Sequence, residues 1–308
     1  MKSRLIVTFA LLLFFFCGRE KKESFSGTAR LKLGALPEES KMVAYINADA
    51  VLNSPFFTEG GDSSELSAWF GKMVQTLSNE VGLVDIREIY AALDLDQEGN
   101  PIPLLIGQGE MNDGKLADMV KGWEVRDYHG ATLYGQKGDD AILARVGEST
   151  WVAGETNRAL SWIDGHRDEE VSGALLARLD PVRYKNTFWI HIDAQSMLAS
   201  MAKKGDSDWM RGLGGARSLQ FSADLGRALV FDGQCIFEDE ERAGLFRDAI
   251  KGALATAKLS VPDERRIIDV LNKININARG NRVDIDFSIK REDIDRLVSL
   301  KERGVVTL

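Results

Sequence analysis

The chain is poor in cysteine, proline and histidine, with two, six and three of these among 308 residues, and it has no long apolar run. Each scarcity removes a class of protein. A helix that crosses a bilayer needs about 20 apolar residues, and the longest run, Leu5 to Phe16, falls well short of that. Two cysteines, at 17 and 235, do not make a disulfide scaffold, so the fold has to rest on a hydrophobic core. His129 lies in a turn before Gly130, His166 in a linker and His191 on a strand, with no spacing that argues for shared acid–base or metal chemistry. Basic excess is also missing. Lys and Arg number 39 against 47 Asp and Glu, a net charge of −8, which makes nucleic acid and anionic lipid surfaces poor partners. There is no Gly-x-Ser-x-Gly elbow, no His-Glu-x-x-His and no Walker loop, so neither an enzyme nor a cofactor is expected.

What is present begins at the N-terminus. Lys2 and Arg4, the apolar run Leu5 to Phe16 and the polar stretch Gly18 to Ser24 are the three parts of an export signal. Cys17 follows the apolar run directly. In that placement the segment resembles a bacterial lipoprotein signal, with Phe14 and Phe16 standing where the family usually has Leu and a small residue. The resemblance implies a signal over residues 1–17 that ends at a lipidated Cys17. It also implies a cell-envelope protein tied to the membrane by that lipid. By resemblance to lipoprotein sorting, Gly18 rather than Asp after the anchor implies the outer membrane, facing the periplasm, in a cell with two membranes. The competing reading is cleavage after Ser26, with Ser24 and Ser26 as the small residues. Loss of Lys2 and Arg4 leaves a mature charge of −10. Residues 18–30 read as a flexible tether. Cys235, in Cys235-Ile236-Phe237, reads as a small buried hydrophobe.

The body repeats itself. Ile46-Asn47-Ala48 with Val51-Leu52 and Ser54 matches Ile192-Asp193-Ala194 with Met197-Leu198 and Ser200 at an offset of 146. Leu104 to Gln108 matches Val230 to Gln234 at an offset of 126, and Val120-Lys121-Gly122 matches Ile250-Lys251-Gly252 at a helix end. These matches divide the body into a first repeat, 31–165, and a second, 171–308, with the boundary at His166 to Glu170.

Leu66, Trp69, Phe70, Met73 and Leu77 give an amphipathic helix from Asp62 to Gly82. A second runs from Glu240 to Lys258, burying Phe246, Ala249, Ile250, Ala253, Leu254 and Ala257. Ile274, Ile276 and Ala278, then Val283, Ile285, Phe287 and Ile289, alternate with polar residues around the turn Gly280-Asn281, which makes a hairpin. Gly130, Gly138 and Gly147 punctuate a meander that leads to a helix near Thr156. The class is α+β: two diverged tandem repeats of antiparallel sheet with helices packed on one side. The segment Leu36 to Ala48, the strand Trp151 to Gly154 before a helix, and the late hairpin resemble secreted bacterial proteins built from such repeats. That likeness implies the fold and the envelope location, and supplies no active site.

Three patterns merit weighing as chemistry. Asp94, Asp96, Glu98, Gly99 and Asn100 follow half an EF-hand loop, but Leu105 stands where the bidentate Glu belongs, and a polar turn is the better reading. Ser200-Met201-Ala202-Lys203 matches Ser-x-x-Lys without its companion motifs. Trp162 falls on a buried helix face, whereas Trp209 sits in the polar loop Lys203 to Gly215 and is the best candidate for partner contact. The expected function is a non-enzymatic envelope lipoprotein that binds a protein through its sheet or the groove between repeats. The alternative is a periplasmic carrier of a lipid or other apolar ligand, with an enzyme third.

Overall fold

The computed structural model describes residues 27–58, 83–96, 98–169, 172–179, 187–202, 213–262 and 265–293. Cys17, Lys203, Trp209 and the helix expected over 62–82 lie outside them. The chain is α+β, with twelve strands in antiparallel sheet among the described residues, as the alternating runs imply. Among the described residues, 27–53 and 83–190 form one compact unit, and 54–58 and 191–293 form another.

The first unit contains α1 (Gly27–Gly34), β1 (Met42–Asn47), α2 (Ala48–Leu52), β2 (Leu83–Leu95), β3 (Pro101–Met111) and α3 (Asp113–Met119). It continues with β4 (Glu124–Tyr128), β5 (Ala131–Gly135), β6 (Ala141–Val146), β7 (Thr150–Glu155), α4 (Thr156–Arg167) and α5 (Gly173–Leu179). Its strands lie in the order β1-β2-β3-β7-β6-β5-β4. The glycines expected to punctuate the meander do so: Gly130, Gly138 and Gly147 all take positive φ, the conformation that lets a short turn reverse the chain.

Because strand neighbours point to opposite faces, β6 and β7 each serve two cores. Ala144 and Val152 face Leu33 of α1, Trp162 and Ile163 of α4, and Leu175 and Leu179 of α5. Leu143 and Ala153 face the other way, against Leu116 of α3 and Val120. Helices therefore cover both faces of this unit, where a single covered side was expected. The longer run of α4 buries Ala159, Trp162 and Ile163 at helical spacing. At about 1.5–3 kcal/mol for each large side chain withdrawn from water, these contacts hold the layers together.

The second unit contains the short helical turn Pro55–Thr58, the end of β8 (Phe188–Asp193), α6 (Ala194–Ala202), β9 (Ala216–Leu225) and β10 (Ala228–Phe237). It closes with α7 (Glu240–Ser260), α8 (Arg265–Asn272), β11 (Asn275–Arg279) and β12 (Arg282–Lys290), in the strand order β8-β9-β10-β12-β11. The late hairpin pairs Ala278 with Val283 around Gly280-Asn281, as the alternation implies. Asp239 caps α7 by accepting from the Arg242 N–H, and Phe246 meets the Phe237 ring at 5.0 Å. Ala249 and Ala253, expected inside, are exposed, and Ile250, Leu254 and Ala257 are half-buried. The later turns of α7 pack against Val261, Ile267 and Leu271 through Leu254 and Ala257, not on the sheet with their whole apolar stripe.

Two boundaries differ from expectation. Gly27 to Arg30, assigned to the tether, open α1, because Leu33 and Leu36 anchor that helix in the core. His166 lies in the last turn of α4 instead of starting a linker, and α5 beyond it still belongs to the first unit, since Leu175 and Leu179 are fully buried there. The division falls inside β8, between Ile190 and His191.

Candidate functional site

Among the described residues a dense polar cluster lies in the first unit, on the sheet face beneath α1. Lys32 is 3% exposed, and its ammonium donates to Glu88 Oε2 at 2.8 Å and to Gln108 Oε1 at 2.6 Å. Tyr45 and Tyr90, on the adjacent β1 and β2, donate their hydroxyls to Glu88 at 3.2 and 3.3 Å. The Lys32 Nζ also stands 5.3 Å from the centre of the Tyr90 ring. Glu88 reaches this face beside an irregularity in the β2–β3 register, between Ile86 and Glu88.

Electrostatics follow from the burial. Desolvation, then the Glu88 charge, pushes both phenols above the ordinary tyrosine range, so they remain donors. A buried ammonium bound to a carboxylate and an amide is satisfied in the way such ions require. Trp162 Nε1 donates to the Lys32 carbonyl at 3.1 Å, fixing α1 against α4. His166 stacks on Trp162 at 4.6 Å, and burial, followed by the Lys32 charge, lowers its pKa. These bonds tie α1 to three strands and to α4.

No spacing in the sequence joins Lys32 to Glu88, which lie 56 residues apart. The one local sign is a Lys between two Leu, in Leu31-Lys32-Leu33. A groove of about 630 Å³ adjoins this region, lined by the loop from Gly34 to Glu39 and by Asn157, Arg158, Ser161 and Ser172. Ser172 donates to Glu38 at 2.9 Å, and Arg158 donates to the Ile102 carbonyl at 3.1 Å.

The residues singled out from sequence stay apart. Asp96 accepts from the Glu98 and Asn100 N–H groups and from the Asn100 side chain, so its carboxylate is spent on the β2–β3 turn. Among the described residues no three acidic, His or Cys side chains gather as metal ligands. His129 pairs with Asp164 at 2.9 Å, while Tyr128 donates to the same carboxylate at 2.7 Å and, with His129, holds its pKa below the usual range. That arrangement pins the β4–β5 turn to α4. His191 contacts Gln220 at 3.1 Å in the second unit. The backbone of Ser200 is helical, in α6.

Cys235 is buried, as its apolar neighbours imply, and burial pushes its thiol up to about 12. In a Cys17→Ser chain, where it is the only thiol, a thiol reagent at pH 8 should react only on unfolding, which absorbance during a urea titration reads directly. Because the folded form keeps the proton, stability also falls as pH rises from about 9, the ordinary value, towards about 12.

No family model matches the chain, and no curated protein matches it. Two solved structures are similar in chain path, crystal forms I and IV of TP0453. They align at 11% and 13% identity with TM-scores of 0.45 and 0.41, each covering 87% of this chain and 96% of its own.

Proposed function

We propose that the protein is a non-enzymatic lipoprotein of a bacterial cell envelope that acts by binding another protein, and that its two units descend from one duplicated unit. The observation that carries the non-catalytic part is where the polar groups are spent. Lys32, Glu88, Tyr45 and Tyr90 hold α1, Asp96 holds a turn, Asp164 holds a hairpin, and Cys235 keeps its proton. A catalytic set needs a base, acid or nucleophile within reach of one reacting atom, and these groups are each committed to structure. The core face of the first unit is filled by Trp162, Leu175, Leu179 and Trp189, which favours the binding reading over the apolar carrier.

Duplication is supported where the first match falls. β1 runs into α2 and β8 into α6 at the same offset of 146, with the same burial course along both strands. Asn47 accepts from the Ala50 N–H at 2.8 Å, and Asp193 from the Ser196 N–H at 3.1 Å, one helix cap at equivalent positions. Strand order also agrees, with β1-β2-β3-β7-β6 set against β8-β9-β10-β12-β11. The other two matches do not pair residues. At an offset of 126, buried Leu104 meets half-buried Val230 on the opposite face, a one-residue slip. Gly122 follows the end of α3, whereas Gly252 lies inside α7.

The anchor part rests on Cys17 after its apolar run. Gly27 of α1 follows Cys17 after nine intervening residues, and nine residues reach at most about 30 Å at about 3.5 Å each. Cys17→Ser should abolish both membrane attachment and processing while leaving folding intact. Detergent phase partitioning should then move the protein wholly into the aqueous phase. A Cys17→Ser protein that still partitions with detergent like the wild type would refute the anchor.

A further inference from the structure

We infer that β4 is a self-recognition edge, through which two copies of the chain associate as an antiparallel pair with Val125 on the two-fold axis. This does not depend on the envelope reading. Among the described residues β4 has one strand neighbour, β5, and Glu124 to Asp127 are all exposed along its outer side. Val125 is 59% exposed, one of few large apolar side chains left in water among the described residues. The register with β5 closes at Tyr128 opposite Ala131, across the two-residue turn His129-Gly130. In such a hairpin the closing pair and every second pair inward exchange backbone bonds. Tyr128, Arg126 and Glu124 thus bond to β5, while the N–H and C=O groups of Val125 and Asp127 point outward.

The charges select the partner and its register. With Val125 opposite Val125 of a second copy, the outward groups meet each other, Glu124 lies opposite Arg126, and Arg126 lies opposite Glu124. Shifting by the next allowed step in either direction sets Arg126 against Arg126 or Glu124 against Glu124. Like charges directly opposite destabilise a strand pair and unlike charges stabilise it. Charged edge strands ordinarily repel other strands; this one repels foreign registers and accepts its own sequence. Glu124 and Arg126 now pair along the strand, with side chains 42% and 73% exposed, so they are free to exchange partners. On the opposite face, Val125 sits across from Tyr134, beside the cluster of Leu116, Val120 and Leu143, and its mate would extend that apolar surface.

Sedimentation of the full chain across a concentration series, with detergent micelles in excess, tests this. The wild type should pass from monomer to dimer as its concentration rises. Arg126→Glu should weaken the dimer roughly tenfold, because both cross-strand pairs become repulsive. Glu124→Arg with Arg126→Glu should restore it, since the pairs are then attractive again with the signs exchanged. Two copies sharing one micelle would not respond to either change. A wild type that stays monomeric throughout, or a dimer equally strong in Arg126→Glu, overturns the proposal. Failure of the double variant to recover, with its folding unchanged by circular dichroism, overturns the register.

Discussion

Gly107→Val is expected to destabilise the first unit by on the order of 3 kcal/mol or more, among the largest effects of any single substitution in the chain. Gly107 lies directly opposite Trp151 in the β3–β7 pair, and the indole rests on the space a side chain would need. A Cβ at 107 would overlap Trp151 Cζ2 and Cε2. Trp151 is only 2% exposed, packed with Ala48 and Ile86, so it has no solvent into which to swing. Either the indole leaves its cluster, forfeiting most of its buried area, or the strands part. Gly107→Ala should already shift the urea midpoint clearly, and Trp151→Leu in the same chain should recover part of the loss by returning volume. An alanine variant within about 0.5 kcal/mol of wild type would show that the indole does not lie over Gly107.

Lys32→Met should cost about 3–5 kcal/mol, the range for removing one partner of a buried ion pair. The substitution keeps the length of the side chain but strands Glu88, whose carboxylate then retains only two tyrosine hydroxyls, and leaves Gln108 Oε1 without its donor. Since Glu88 is 30% exposed, water relieves part of the penalty, and the lower end of the range is expected. Adding Glu88→Leu should return most of the stability, because replacing both members of such a pair by apolar groups is often neutral. Urea unfolding followed through Trp162 and Trp189 reads both variants. A double variant less stable than Lys32→Met alone would mean that Glu88 stabilises the fold independently of Lys32.

These two positions also show why the sequence was legible in some places and not in others. Period carried the elements with continuous patterns. The alternation around Gly280-Asn281 and the spacing of Ala159, Trp162 and Ile163 match strands and a helix because each local pattern has one compatible core face. α1 was hidden because eight residues give too few turns for a stripe to appear, and its helix is stabilised by contacts with Glu88, Gln108 and Trp162, all more than 50 residues away. The cluster around Lys32 is for the same reason invisible to motif spacing. The offset of 126 misled because a strand's identity on each face turns on a single residue, and a short apolar run matches equally well in either register. Helical spacing places Ala249 and Ala253 in the core, yet both are exposed, because spacing locates a stripe but not how much of it a sheet covers.

The state of Cys17 decides whether the protein is held in the envelope by lipid, and the mass of the mature N-terminal peptide tests it most directly. Protein purified from membranes, digested and extracted with organic solvent should yield a peptide that begins at Cys17 and carries the added mass of two or more acyl chains, as stable anchoring requires. A mature chain that instead begins at Gly27, or an unmodified Cys17 in a retained leader, would contradict the lipid anchor and with it the proposed place of this protein in the envelope.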